Sequence, residues 1–130
     1  MLTNAFRAIE RKQERKEESI EIIFGLSDSG FYEIDVYDSG EPFPKFVLEH
    51  FGRRGLTTGG TGEGIANMLE ILQKYRAGLI IEEFSLEKSD CSKCITLRFG
   101  GNFEVTLHTS RDIQLKIETD YPKREVQLHV

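Results

Sequence analysis

The sequence lacks the segments that would direct a chain into or across a membrane. No apolar run approaches the ~20 residues needed to span a bilayer, and charged residues at Arg7, Glu10 and Arg11 interrupt any signal-peptide pattern at the N-terminus. An excess of positive charge is also missing, since the net charge is -5. That charge gives no electrostatic basis for a nucleic-acid partner. We therefore expect a cytoplasmic chain with no nucleic-acid partner and no direct membrane contact, although a longer parent protein is compatible with a membrane anchor.

Cysteine is equally scarce. The only two are Cys91 and Cys94, in the stretch SDCSKC. A structural zinc ion needs four ligands, and the sequence offers no second CxxC and no nearby pair of histidines. This favours two reduced thiols at the entrance of a strand over a zinc site or a redox pair.

What the sequence does contain is the periodicity of a single α/β domain. Its 130 residues are 38% hydrophobic and 30% charged, which is ordinary for a globular protein. Helical spacing predicts an N-terminal helix over LTNAFRAIERKQERKEE, from Leu2 to Glu18, with an apolar stripe. The two prolines before Lys45 predict a short helix from Pro44. Alternation of apolar and polar side chains predicts strands. The turn SDSG joins the first two strands, which we expect to form an antiparallel hairpin. The stripe is formed by Leu2, Ala5, Phe6 and Ile9, and the strands are SIEIIFGLS, FYEIDVYDSG, GLIIEEFSL and KCITLRF.

The last thirty residues alternate apolar and polar side chains in three further stretches. These are NFEVTLHT, DIQLKIE and REVQLHV. We interpret them as two or three additional strands, which either extend the sheet or offer an edge to a partner.

A glycine- and threonine-rich stretch, GLTTGGTGEGIANMLEIL, leads directly into a helix expected from about Glu63 to Arg76. A helix N-terminus presents unpaired backbone N–H groups and a partial positive charge. Glycines placed just before it let a phosphate approach the backbone closely. Gly60, Gly62 and Gly64 are therefore candidates for a phosphate cradle, although the same spacing fits an ordinary surface loop. The apolar stripe of the helix is Ile65, Met68, Leu69 and Leu72.

Two polar side chains stand out beside this loop. Asp38 continues the core-facing parity of Ile34 and Val36, and a carboxylate in such a place needs a donor. The exocyclic amine of a base would supply one, while the alternative is an Asp that simply starts the turn DSG. Asn4 lies away from the apolar stripe of its helix, and its amide oxygen suits Mg²⁺. The alternative for Asn4 is an exposed helix asparagine.

Together these motifs resemble the ATP-binding catalytic domain (HATPase_c) of sensor histidine kinases, in the GHKL ATPase superfamily. LTNAFRA is similar to the N-box, VYDSGEPF to the G1 box, and GLTTGGTGEGIANMLEIL to the lid followed by the G2 box. The resemblance covers roughly residues 1–99. It implies a two-layer α/β sandwich, with helices on one face of a mixed, mostly antiparallel sheet and ATP between the layers.

The resemblance also implies roles for individual residues. Asn4 would bind Mg²⁺, and Asp38 would accept the adenine amine with Gly40 shaping the turn beside the base. Thr96, on the strand after the G2 helix, would reinforce the Asp38 contact. The lid and the triphosphate site would include Thr57, Thr58, Gly60, Thr61, Gly62 and Gly64.

The chain departs from the family pattern at three places, one of which is Glu63, where an apolar residue is usual. Pro42 stands where a second glycine is usual, and Gly59 stands where the lid often has a basic residue. Arg53, Arg54, Arg7 and Arg11 are candidates to replace that cation. Alternatives to kinase activity are a nucleotide-gated interaction module that has lost phosphoryl transfer, and a serine kinase of the anti-sigma-factor type.

The chain begins inside the N-box helix, so we expect an ATP-binding domain at 1–100, apparently truncated within that helix, and additional strands at 101–130. The phosphoacceptor-histidine helices are missing from it. The resemblance implies that the domain binds Mg-ATP and transfers the γ-phosphoryl group to a His on a separate dimerisation domain. A response regulator would act downstream.

Overall fold

The fold is described from a computed structural model, which covers residues 1–12, 18–55, 64–85 and 90–118. This part of the chain contains three helices and five strands. Their order is α1 (Leu2–Glu10), β1 (Ile20–Leu26), β2 (Tyr32–Asp38), α2 (Lys45–Glu49), α3 (Gly64–Lys74), β3 (Gly78–Glu83), β4 (Lys93–Phe99) and β5 (Glu104–His108). None of the helices in the described ranges is long and apolar enough to cross a membrane.

The five strands form one mixed sheet in the order β1-β2-β4-β3-β5. All neighbours are antiparallel except β3 and β5, which are parallel. The predicted hairpin is confirmed, since β1 pairs with β2 from Ile20↔Asp38 to Leu26↔Tyr32. The turn between them contains Gly30 at φ 86°, a conformation that glycine adopts without steric cost.

The hydrophobic core lies on one face of this sheet. Leu79, Ile81 and Ile95 project from the strands toward α2 and α3. The predicted stripe of α3 is confirmed: Leu69 and Leu72 are buried, and Ile65 and Met68 pack against the same cluster. The result is an α/β fold compatible with the expected two-layer sandwich.

Helix α1 is rotated relative to the sequence expectation. Its longest apolar side chains are on the outside, with Leu2 43% and Phe6 58% exposed, while Ala5 and Ala8 are buried. The small side chains face inward because the helix packs directly against the backbone at Gly40, where a Cβ would lie 2.5 Å from the Ala8 Cβ. A close contact between a helix and a backbone segment requires small residues on both sides. The large side chains of α1 therefore lie on its outer face.

The C-terminal segment departs from the prediction of further strands after β5. The stretch NFEVTLHT does form β5, in the same sheet as β3. The stretch DIQLKIE makes only an isolated bridge, between Ile117 and Phe51, because the chain leaves the sheet and crosses toward the end of α2. There the Phe51 amide donates to the Lys116 carbonyl, and the Glu118 amide donates to the Phe51 carbonyl. The stretch REVQLHV lies outside the described residues.

Candidate functional site

Asp38, the last residue of β2, is the centre of the candidate site. Its side chain is only 1% exposed. The oxygen Oδ1 accepts hydrogen bonds from the Gly40 amide, at 2.9 Å, and from the Lys93 ammonium, at 2.8 Å. The oxygen Oδ2 is also buried and accepts no hydrogen bond from any described residue. Buried polar atoms are nearly always hydrogen-bonded, so an unpartnered acceptor indicates a place for an absent donor.

Lys93 is the functional candidate that the sequence reasoning missed. It is the residue directly opposite Asp38 in the β2–β4 register. Its ammonium donates to Asp38 Oδ1 and to the Glu41 carbonyl, both at 2.8 Å, and lies 5.5 Å from the centre of the Phe43 ring. Burial lowers the pKa of Lys93, and the adjacent Asp38 carboxylate opposes that shift. In the sequence, Lys93 lies two residues before Ile95 and therefore on the same, core-facing side of the strand. That position distinguishes it, because lysine is almost never fully buried unless it is paired.

The predicted contact between Thr96 and Asp38 is corrected by the sheet register. Thr96 lies opposite Asp35 and Ile80, and its hydroxyl donates to Asp35 Oδ1 at 2.6 Å. Side chains alternate between the two faces of a strand. Because Asp38 and Asp35 are three residues apart on β2, Thr96 and Asp38 point to opposite faces of the sheet.

The loop that follows Asp38 is fixed on both sides. Gly40 lies against α1, where the Glu41 amide donates to the Ala8 carbonyl at 3.0 Å. On the other side, the Ser92 hydroxyl donates to the Gly40 carbonyl at 2.5 Å. These contacts hold the backbone on both sides of the carboxylate, so Asp38 is positioned by the fold.

Asn4 lies on the side of α1 that approaches this loop. It is half-buried and precedes the buried Ala8 by four residues, which places both on the same face of the helix. The α1 face that carries Asn4 therefore packs against the loop after Asp38. The Mg²⁺ role of Asn4 stays a prediction.

Of the predicted phosphate site, the described residues include Gly64. Gly64 is the first residue of α3 and is exposed. The remaining predicted residues, Thr57, Thr58, Gly60, Thr61 and Gly62, lie outside the described residues. The phosphate cradle therefore stays a prediction.

Two of the arginines considered for phosphate binding have partners within the chain. Arg53 forms a two-point ion pair with Glu118, with Nε and Nη2 lying 2.6 and 3.1 Å from its carboxylate oxygens. Arg54 contacts Asn67 and Glu70 of α3. In this structure both cations are therefore engaged by protein groups.

Glu118 makes the stability of the C-terminal segment acid-sensitive. The pKa of Glu118 is lowered by its hydrogen bond with His50 and, next, by that from Arg53. A carboxylate whose pKa is lowered on folding stabilises the protein above its unfolded pKa, near 4.3 for Glu. That contribution is lost as the pH falls through the folded value. We expect wild-type protein to lose more stability than E118Q between about pH 6 and pH 3.

Urea unfolding at a series of pH values measures this difference. The control is E21Q, since Glu21 lies exposed on the edge strand β1. E21Q should follow the wild-type pH profile. Parallel profiles for wild type and E118Q would contradict the assigned role of Glu118.

Neither of the two cysteines forms a disulfide bond within the described residues. Burial raises the pKa of the Cys94 thiol to about 11, so at neutral pH it is protonated and unreactive. Within the described residues there is no group of three or more His, Cys, Asp or Glu side chains arranged to hold a metal ion.

Comparisons of this chain with models of protein families, with curated proteins and with solved structures found no match.

Proposed function

We propose that this chain is an ATP-binding catalytic domain of the histidine-kinase type, with the GHKL sandwich as its fold. In this assignment Asp38 Oδ2 would accept a hydrogen bond from the adenine amine, and the Asn4 amide oxygen would hold Mg²⁺, which would supply positive charge beside the phosphates. The γ-phosphoryl group passes to a His on a separate dimerisation domain, which leaves ADP. Phosphoryl transfer of this kind depends mainly on positioning and charge stabilisation.

One observation carries the proposal. Asp38 Oδ2 is a buried acceptor without a hydrogen bond from any described residue, while Oδ1 of the same carboxylate has two donors. Leaving such an atom unsatisfied costs about 1–3 kcal/mol. An amine that donates to this oxygen recovers the cost on binding, whereas a base without the amine does not. The motifs flanking Asp38 in sequence suggest that the amine belongs to adenine.

The anchoring of the site supports the same conclusion. The loop from Ser39 to Glu41 is held by α1 and by Ser92, so binding does not have to order it. A preorganised acceptor binds more tightly than one on a mobile loop, because less conformational entropy is lost. The face of α1 that carries Asn4 borders this loop, as a metal ligand near the nucleotide requires.

Calorimetric titration with Mg-ATP tests the proposal, with D38N as the informative variant. We expect wild-type protein to bind Mg-ATP, and D38N to bind it on the order of 100-fold more weakly, because the amide presents a donor as readily as an acceptor. The matched control is D28N, which makes the same chemical change in the exposed turn between β1 and β2. It should bind like the wild type.

Two results would overturn the proposal. The first is the absence of binding heat for wild-type protein at millimolar Mg-ATP. The second is an unchanged affinity in D38N, provided that thermal unfolding shows the variant to be folded.

A second candidate function is a nucleotide-gated interaction module without phosphoryl transfer. It is favoured by the ion pairs of Arg53 with Glu118 and of Arg54 with Glu70, which engage cations that a phosphate clamp would use. Both functions require ATP binding, so calorimetry does not separate them. Transfer of labelled γ-phosphate to a phosphoacceptor-histidine domain supplied in trans does, since only the kinase gives a labelled acceptor.

A further inference from the structure

Lys93 is buried beside the Asp38 carboxylate and does not donate to its oxygen Oδ2. Its side chain is 2% exposed, yet its identified hydrogen bonds go to Asp38 Oδ1 and to the Glu41 carbonyl. Among the described residues, the ammonium donates to one of the two carboxylate oxygens of Asp38 and not to the other. The carbonyl and the Phe43 ring hold it on the Oδ1 side, so the charge is neutralised without Oδ2 being occupied.

The other charges around Lys93 do not replace Asp38 as its partner. Arg11 is of the same sign, and Glu83 is paired with Arg111. A buried ion is costly without a partner, so Lys93 and Asp38 depend on each other. The pair is neutral as a whole but asymmetric, with two donors on Oδ1 and none from the described residues on Oδ2.

We propose that Lys93 sets the base specificity of this site by keeping Asp38 Oδ2 an acceptor that cannot donate. The inference rests on the proposed function, and it concerns which nucleotides that function accepts. An ionised carboxylate has no proton to give. The site therefore takes a nucleotide whose base presents an exocyclic amine, and it excludes one that presents a carbonyl oxygen at the same position.

Without the Lys93 ammonium, the Asp38 carboxyl group would discriminate less between bases. A buried carboxylate that has lost its counter-charge takes up a proton instead of remaining charged. A protonated carboxyl both donates and accepts. It therefore tolerates the amine of adenine and the carbonyl of hypoxanthine alike, and discrimination falls.

Competition between Mg-ATP and Mg-ITP measures this discrimination directly, because the two bases differ at that position by an amine against a carbonyl. We expect wild-type protein to prefer ATP by at least about 100-fold. In K93M, which keeps an apolar side chain of similar length beside Phe43, the ratio should fall below about 10-fold. The control K74M removes an exposed lysine near the end of α3 and should keep the wild-type ratio.

The outcomes separate this inference from the proposed function. If wild-type protein binds neither nucleotide, the proposed function fails and the inference with it. If wild-type protein binds ATP and ITP equally, or if folded K93M keeps the wild-type ratio, the role of Lys93 is refuted while ATP binding stands. A change in thermal stability alone does not alter a ratio of two affinities, so a purely structural lysine would leave it unmoved.

A measurement on wild-type protein covers the case in which K93M does not fold. The ¹³C signal of the Asp38 carboxyl carbon reports its protonation state, and we expect an ionised carboxylate at neutral pH, free and with Mg-ATP bound. A protonated Asp38 in either state would refute the proposal without any substitution.

Discussion

Replacing Gly40 with alanine is expected to lower the free energy of unfolding by about 3 kcal/mol and to weaken Mg-ATP binding with it. The added Cβ would lie 2.5 Å from the Ala8 Cβ, 2.6 Å from the Ala8 carbonyl carbon and 2.6 Å from the Ile9 nitrogen. Two of these three atoms are helix backbone, which cannot rotate away. The strain must therefore push α1 off the loop that carries the Asp38 contacts.

Gly25 provides the matched control for this substitution. It lies on the exposed strand β1, and a Cβ there would meet no atom within 4 Å in the part of the chain that the structure describes. G25A should be neutral or stabilising by about 0.5 kcal/mol, since alanine loses less backbone entropy on folding. Urea unfolding measures both variants, and calorimetry measures binding at a temperature where G40A is folded. A G40A protein as stable as G25A would show that α1 does not pack as described.

The second large effect is expected for Gly52, where the backbone itself is demanding. Gly52 has φ 97°, and a Cβ on it would lie 2.5 Å from the Glu118 carbonyl oxygen and 2.6 Å from Leu69 Cδ1. G52A combines the cost of positive φ, about 1 kcal/mol, with overpacking against a buried side chain, about 1–3 kcal/mol. We expect a total loss of about 3 kcal/mol or more, with release of the segment that holds Arg53.

Gly55 separates the two contributions to this loss. It also has positive φ, 78°, but a Cβ there would meet no atom of the described residues within 4 Å. G55A should therefore show only the backbone cost, about 1 kcal/mol. Urea unfolding gives the difference between the variants, and amide exchange at Phe51 and Glu118 reports whether the C-terminal segment has detached. Equal losses for G52A and G55A would indicate that the segment does not pack against Gly52.

Some features of the candidate site could be predicted from the sequence, and others depended on pairing. The sequence indicates Asp38 because it is an acidic residue at a core-facing position at the end of a strand. That pattern involves only neighbouring residues. Lys93 is also a charged residue at a core-facing position, but its role depends on its lying opposite Asp38, 55 residues away in the sequence. Thr96 was assigned to the wrong face for the same reason. A shift of one residue in register moves every side chain to the other face, and no local pattern fixes a register between distant strands.

Helix α1 illustrates a related difficulty. A helix was predicted from Leu2 to Glu18, and the prediction is confirmed over Leu2–Glu10, whereas Lys12 and Glu18 are not helical and residues 13–17 lie outside the described residues. The larger apolar side chains were expected to face inward, but Ala5 and Ala8 are the buried ones. Hydrophobicity alone favours burying Leu2 and Phe6, whereas the space available against Gly40 admits only small residues. Packing at short distance thus decides the orientation of the helix.

The sequence by itself determined which segments are helices and strands through β5, the hairpin of β1 and β2, and the buried acid at Asp38, because periodicity and turn chemistry act over a few neighbouring residues. Only the tertiary structure decided the partners. It placed Lys93 on one oxygen of Asp38, Thr96 on the opposite face, and Glu118 on Arg53. These contacts join residues more than fifty positions apart, and such pairings are selected by the packing of the whole chain.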